Sequence, residues 1–310
     1  EFTIDELIIK GPQAGQISQR PRFALPLLNE EPALDGKLTD PFWAKAARVT
    51  GFVGFDKNTL AANQPVLYAA YTSKGLYFAL AVVLPPGIAP RASLTERDTP
   101  IYTEDSLEMF LRPTNSQASY YQFIASAMGT RFDCKKTDDK TDIGGYNPEW
   151  QVKTDGQPGK WTAEVFIPFE ALDGAKMPQA GEVWKGNFCV DSAAGFSSAA
   201  TWAFTSGNFT QPIYFGELLF TGKERALRQE KFTGFTEGEP QVTFDLVGDF
   251  QPIITVHGEL NDATGKSVYK NDMLLRDTRS VQIKPPFLTT GNYTLTFANK
   301  DENGQQVFYQ

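Results

Sequence analysis

The segment from Trp150 to Ile167 most constrains the fold. It reads Trp150-Gln-Val-Lys-Thr, then Asp155-Gly-Gln-Pro-Gly, then Trp161-Thr-Ala-Glu-Val-Phe-Ile. Both flanks alternate apolar and polar residues, and the middle carries turn chemistry, so the segment predicts a β-hairpin. Pro168 ends the second flank and suits a strand exit. The same pattern of short alternating runs between Gly, Pro, Asn and Asp turns continues from about Tyr68 to Phe220. Aromatic residues are plentiful, with 24 Phe, 11 Tyr and 5 Trp. The prediction is an all-β chain built on an antiparallel β-sandwich. Helical signals are sparse. Asp40 before Pro41 marks the start of one short helix, and Pro168 to Gly174 reads as a single helical turn.

A chain of 310 residues has room for two domains. The formal net charge of -8 argues against a nucleic-acid partner held by phosphate contacts. It fits a neutral polar ligand such as a sugar, and equally a surface that is merely soluble. No apolar run reaches membrane-spanning length. The chain starts at Glu1 rather than Met, which fits removal of a signal peptide and a secreted, periplasmic or cell-surface protein. Cys134 and Cys189 are the only cysteines. They read as two separate small core residues, with a disulfide as the alternative.

Four segments emerge. Residues 1–29 form an N-terminal extension with one expected strand near Phe2-Thr-Ile-Asp-Glu-Leu-Ile-Ile. Residues 30–221 form the main sandwich. Residues 222–235, polar and of mixed charge, read as a linker. Residues 236–310 resume strands at Gln241-Val-Thr-Phe-Asp-Leu, Ile253-Ile-Thr-Val, Ser280-Val-Gln-Ile and Tyr293-Thr-Leu-Thr-Phe. This last segment is small for a sandwich and is expected to pack on its neighbour.

In Tyr102-Thr-Glu-Asp-Ser-Leu-Glu-Met-Phe110, Leu107 and Met109 point one way, while Ser106, Glu108 and Phe110 point the other. Glu108 is thus a carboxylate inside an apolar strand, costly unless hydrogen-bonded or facing a wet cleft. A plain solvent-facing position fits it equally well. This segment stands in order with Leu34-Asp-Gly-Lys-Leu-Thr-Asp-Pro-Phe-Trp43, Pro65-Val-Leu-Tyr-Ala-Ala-Tyr, Gly75-Leu-Tyr-Phe-Ala-Leu-Ala-Val, Tyr121-Gln-Phe-Ile, Met128-Gly-Thr, Trp161 to Phe169, Gly181 to Cys189 and Phe215-Gly-Glu-Leu-Leu-Phe220. The ordered set resembles family 9 carbohydrate-binding modules from about residue 34 to 220. Thr289-Thr-Gly-Asn-Tyr-Thr-Leu-Thr-Phe resembles the closing turn and strand of immunoglobulin-like domains in secreted bacterial proteins.

The first resemblance implies non-catalytic binding of oligo- or polysaccharide, in a module accessory to a glycoside hydrolase or surface system. Other domains or proteins of a polysaccharide-degrading system would be its partners. It also implies a pair of aromatics sandwiching the terminal sugar, here Tyr102 and Phe209, where well-understood members carry Trp. The motif acids Asp105 and Glu108 follow, with Glu108 accepting sugar hydroxyls. A family Arg on the next strand corresponds to Ile124, and Arg131, Gln122 or Lys153 are the candidate substitutes. Trp150 is a further aromatic for the cleft or, alternatively, a core residue. Family members often hold structural calcium, and Asp133, Asp138, Asp139, Asp142 and the Glu96/Asp98 loop are the oxygen donors available. The alternative functions are a structural or protein-interaction module that has lost sugar binding, and an enzyme or heme-carrying domain of the same fold.

Catalytic chemistry is thinly represented. The single histidine, His257, lies in the C-terminal segment and reads as a surface or cross-strand residue. Asp105 and Glu108 point to opposite faces and do not flank one bond. Pairings of Glu104 or Glu108 with Glu149 or Glu164 would need tertiary proximity, and Glu164 is expected to face outward with Phe166. Met109 and Met128 read as core residues rather than heme ligands.

Overall fold

The computed structural model describes residues 20–309, except 57–58, 63, 115, 117, 138–139, 195–198, 234–239, 251, 277, 287, 289–292 and 301–305. The expected strand near Phe2, the acids Asp138 and Asp139 and the turn at 289–292 lie outside the described residues.

Period-two alternation becomes two facing sheets. The first runs edge to edge through Arg22–Leu25, Gly216–Phe220, Val183–Asp191, Ser106–Arg112, Tyr120–Ser126, Arg131–Lys136 and Thr141–Asp142. Two short strands, Ala200–Thr201 and Val53–Gly54, attach at Val183–Asp191. The second sheet runs through Gln151–Gln157, Lys160–Pro168, Gly75–Val83, Val66–Tyr71, Ala47–Val49, Arg225–Thr233, Gln241–Gly248 and Ser280–Ile283. The inward faces meet in one apolar core that includes Leu107, Met109, Phe123, Phe188, Phe78, Leu80 and Trp161. The predicted hairpin is present. Gln157 pairs with Lys160 around Pro158 and Gly159, and Gly159 turns with φ of 91°.

The short helix is Phe42–Lys45. Asp40 accepts the Phe42 amide at 2.9 Å, which agrees with its expected capping role. Pro168 leads into a 3-10 turn at Phe169–Leu172.

Three expectations change. Arg22–Leu25 lies in the supposed N-terminal extension, yet it pairs in parallel with Gly216–Phe220 and buries Phe23, Ala24 and Leu25. Arg225–Thr233, read as a linker, is a strand that joins Ala47–Val49 to Gln241–Gly248. Its charges hid the pattern. Arg228 donates to the carbonyls of Trp43 at 2.7 Å and Ala46 at 3.2 Å, and Arg225 donates to that of Asp249 at 2.9 Å. Glu164 does not face solvent; its carboxylate is fully buried.

Beyond residue 240 a four-stranded sheet of Ser267–Leu275, Ile254–Asp262, Tyr293–Lys300 and Gln306–Tyr309 completes a second sandwich. It packs on the end of the long sheet rather than on a sheet of its own. Phe244 from the long sheet stacks on Phe297 at 4.8 Å between ring centres. His257 is the expected cross-strand residue, opposite Asp272 and bonded to it.

Candidate functional site

The outward face of the first sheet follows from register. Glu108 lies opposite Cys189 on one side and Ile124 on the other, while Gln122 lies opposite Phe110 and Cys134. Ser106, Glu108 and Phe110 therefore share the face away from the core, as the alternation predicts. That face is not bare. Ala199, Gly207 to Thr210 and the turn carrying Phe55 wall an open cavity of about 420 Å³ on it. Its lining includes Tyr102, Glu108, Gln122, Asp191, Phe132 and Phe209. The size is that of a small-molecule site.

Tyr102 sits in a 3-10 turn just before the strand and is 49% exposed. Its ring meets the edge of Phe132 at 6.4 Å. Phe209 is 8% exposed and packs edge-on against Phe55 at 4.8 Å. The loop that carries it is shaped by local chemistry. Ser206 and Gly207 both adopt positive φ, and Asn208 caps the next turn by accepting from the Thr210 amide at 2.9 Å. One aromatic thus offers an open ring, and the other is an edge-braced wall.

Glu108 is held by Gln122, which donates its amide to Oε2 at 2.7 Å. The other end of that amide accepts from the Cys134 thiol at 3.3 Å, so its orientation is set. Glu108 is also hydrogen-bonded to Asp191. Asp191 in turn accepts from the Ser106 hydroxyl at 2.7 Å. Burial raises the pKa of Glu108, and the bonds from Asp191 and Gln122 pull it back. Burial and the Glu108 charge push Asp191 well above the ordinary carboxylate range. Burial thus raises both carboxyls and favours a proton held between them.

Of the residues singled out from the sequence, Tyr102, Phe209 and Glu108 come together in the cavity. Asp105, Arg131 and Trp150 do not line it. Asp105 is buried and pins two loops, accepting from the amides of Arg91 at 2.6 Å and Ala193 at 2.9 Å. Trp150 is buried in the core and donates to Asp133 at 3.0 Å. Arg131 donates to the Trp150 carbonyl at 2.6 Å, and its guanidinium lies 5.8 Å from that ring. Glu104 is likewise a loop anchor, accepting from Ser93 at 2.7 Å. Of the three candidate substitutes for the family Arg, Gln122 lines the cavity and Arg131 and Lys153 do not. Ile124 is fully buried beside Phe132 and Cys134. Asp191 and Phe55 carried no sequence signal, because each arrives from a distant segment.

Among the described residues the calcium donors do not assemble. Asp133 spends both oxygens on Arg97, the closest contact at 2.7 Å, and on Trp150. Asp142 accepts from the Gly145 amide at 2.9 Å. Among the described residues no group of three or more His, Cys, Asp or Glu is placed to hold a metal ion. Cys134 and Cys189 are both buried and free, which agrees with two separate core residues. Met109 lies between the sheets, and Met128 is an exposed turn residue.

A β-sandwich whose outer face carries an aromatic and carboxylate cavity defines the class. The chain belongs to the carbohydrate family 9 binding domain-like family, whose family model matches residues 34–223. A search of curated protein sequences finds no match. Among solved structures, a proposed carbohydrate-binding protein from Bacteroides uniformis is similar, with a TM-score of 0.53 and 15% identity over 64% of this chain and 98% of that one. A family 9 carbohydrate-binding module from Caldicellulosiruptor kristjanssonii in complex with cellotriose is similar with a TM-score of 0.47 and 20% identity over 65% of this chain and 94% of that one. A family 9 carbohydrate-binding module from the same organism in complex with glucose gives 0.48 and 19% over 65% and 96%.

Proposed function

We propose that the protein binds oligo- or polysaccharide in this cavity without transforming it. The observation that carries the reading is the convergence of Tyr102, Phe209 and Glu108 on one open cavity. An open tyrosine face packs on the C–H face of a sugar ring, and Glu108, Gln122, Asn208 and Thr210 offer partners for hydroxyls. Family membership supports a binding module over an enzyme.

The module works outside the cytoplasm, accessory to a polysaccharide-degrading system, and its C-terminal sandwich is of immunoglobulin-like type. A second reading, a protein-interaction module that has lost sugar binding, is favoured by the covered Phe209 ring and by Ile124 in place of a charged donor. Glycan-array binding followed by calorimetry separates the two. Saturable binding to a saccharide, competed by the free oligomer, supports the first reading. Absence of binding across the array overturns it.

A further inference from the structure

The polar chemistry of the cavity is one-sided. Among the described residues its lining holds two acids, Glu108 and Asp191, and no Lys, Arg or His. The titratable groups that face the pair from the neighbouring strands add no positive charge. Tyr120 and Cys134 are pushed up to about 12 by burial, and Cys189 is raised well above its usual value by burial, so all three stay neutral near pH 7. Asp105, which acts on Asp191 from the strand entrance, adds a further acid. Lys136 lies beyond Cys134 and acts on that thiol but does not line the cavity.

Glu108 already accepts from Gln122 and from Asp191. A neutral sugar hydroxyl can donate to the remaining lone pairs of Glu108 but brings no charge to offset the two acids. A uronic acid would bring a second negative charge to a partly desolvated site where no described lining residue is a cation. A cation, by contrast, replaces the shared proton and is flanked by two carboxylates. The aromatic rings around it, the open face of Tyr102 above all, also attract positive charge.

We propose that the cavity selects a sugar bearing a protonated primary amine, of the non-acetylated hexosamine class, with its ammonium seated between Glu108 and Asp191. This rests on the reading of the cavity as a saccharide site. The proton that the two acids share leaves to solvent when the ammonium binds, so binding releases protons. Acetylation of the amine removes both the charge and that exchange.

The test is calorimetry on the full chain at about pH 6, where an amine of this kind is charged. The probes are chitosan oligosaccharide, its N-acetylated counterpart, a cello-oligosaccharide and an oligogalacturonate, each in two buffers of different ionisation enthalpy. The amino-sugar oligomer is expected to bind about tenfold or more tightly than the neutral ones. Its heat should differ between buffers, which reports proton release, and the galacturonate should bind most weakly. Asp191→Asn should erase the preference for the amine and the proton release that accompanies it. The proton-release measurement needs no variant and holds even where that substitution impairs folding. Neutral oligomers bound as tightly as the amino sugar, or amino-sugar binding without proton release, would overturn the inference and leave the saccharide site standing. No binding by any of the four would remove the saccharide site along with it.

Discussion

Trp43 donates its indole Nε1–H to Glu164 Oε1 at 2.6 Å, across the space between the short helix and a strand of the second sheet. The other oxygen of the same carboxylate accepts from the amides of Gly36 at 2.6 Å and Asp35 at 2.7 Å. One buried acid thus fastens the Leu34–Trp43 entry segment to the sandwich. Gly36 could be no other residue without strain, since its φ is 86° and a Cβ there would lie 2.5 Å from the Thr154 carbonyl carbon.

Glu164→Ala leaves these buried N–H groups without an acceptor. We expect a loss on the order of 3 kcal/mol or more. Urea unfolding followed by tryptophan fluorescence measures it. A change of only a few tenths would show that the carboxylate does not hold the segment.

The two sandwiches share a sheet through Arg225–Thr233, and Arg228 bonds back to the carbonyls of Trp43 and Ala46. The protein should therefore unfold in one transition, and Arg228→Ala should cost about 1–3 kcal/mol. Two separate calorimetric transitions would contradict the shared sheet.

The acid pair gives stability a definite pH dependence. Asp191 and Glu108 have higher pKa values in the fold than in the unfolded chain, chiefly because burial disfavours the charged forms. The fold therefore holds protons that the unfolded chain has released. This contribution is complete below about pH 4 and is lost as pH rises through the folded values. Asp191→Asn keeps a hydrogen-bond donor for Glu108 and removes the ionisation. Its melting temperature, relative to the parent, should be higher at about pH 8 than at about pH 4. A difference that stays constant over that range would mean the pair does not share a proton.

Much of this was legible in the sequence, and the rest was not for identifiable reasons. Alternation in Ser106–Phe110 correctly separates Leu107 and Met109 from Glu108 and Phe110, because strand period is local. Local order also made the Trp150–Ile167 hairpin and the Asp40 cap readable. Asp105 and Trp150 look like site residues by type and position, yet each satisfies a buried partner elsewhere. Glu164 keeps the alternation, on the face opposite Ala163 and Val165, but is buried there because the Leu34–Trp43 segment covers it and points three N–H groups at its carboxylate. Asp191 was invisible because its meaning comes only from lying one strand away from Glu108. Arg225–Thr233 passed for a linker because its arginines bind backbone carbonyls rather than solvent.

The central claim concerns the ring of Tyr102. Calorimetric titration of the parent and Tyr102→Ala with a panel of cello-, xylo- and chitosan oligosaccharides tests it most directly, alongside melting curves. We expect saturable binding by the parent to at least one oligomer. The substitution should weaken it about fivefold or more, matching a stacking contribution of about 1 kcal/mol, with the melting temperature nearly unchanged because the ring is half exposed. Phe209→Ala is expected to lower both affinity and melting temperature, because that ring is buried against Phe55. Equal affinity in the parent and Tyr102→Ala, or no binding by the parent, would contradict the account.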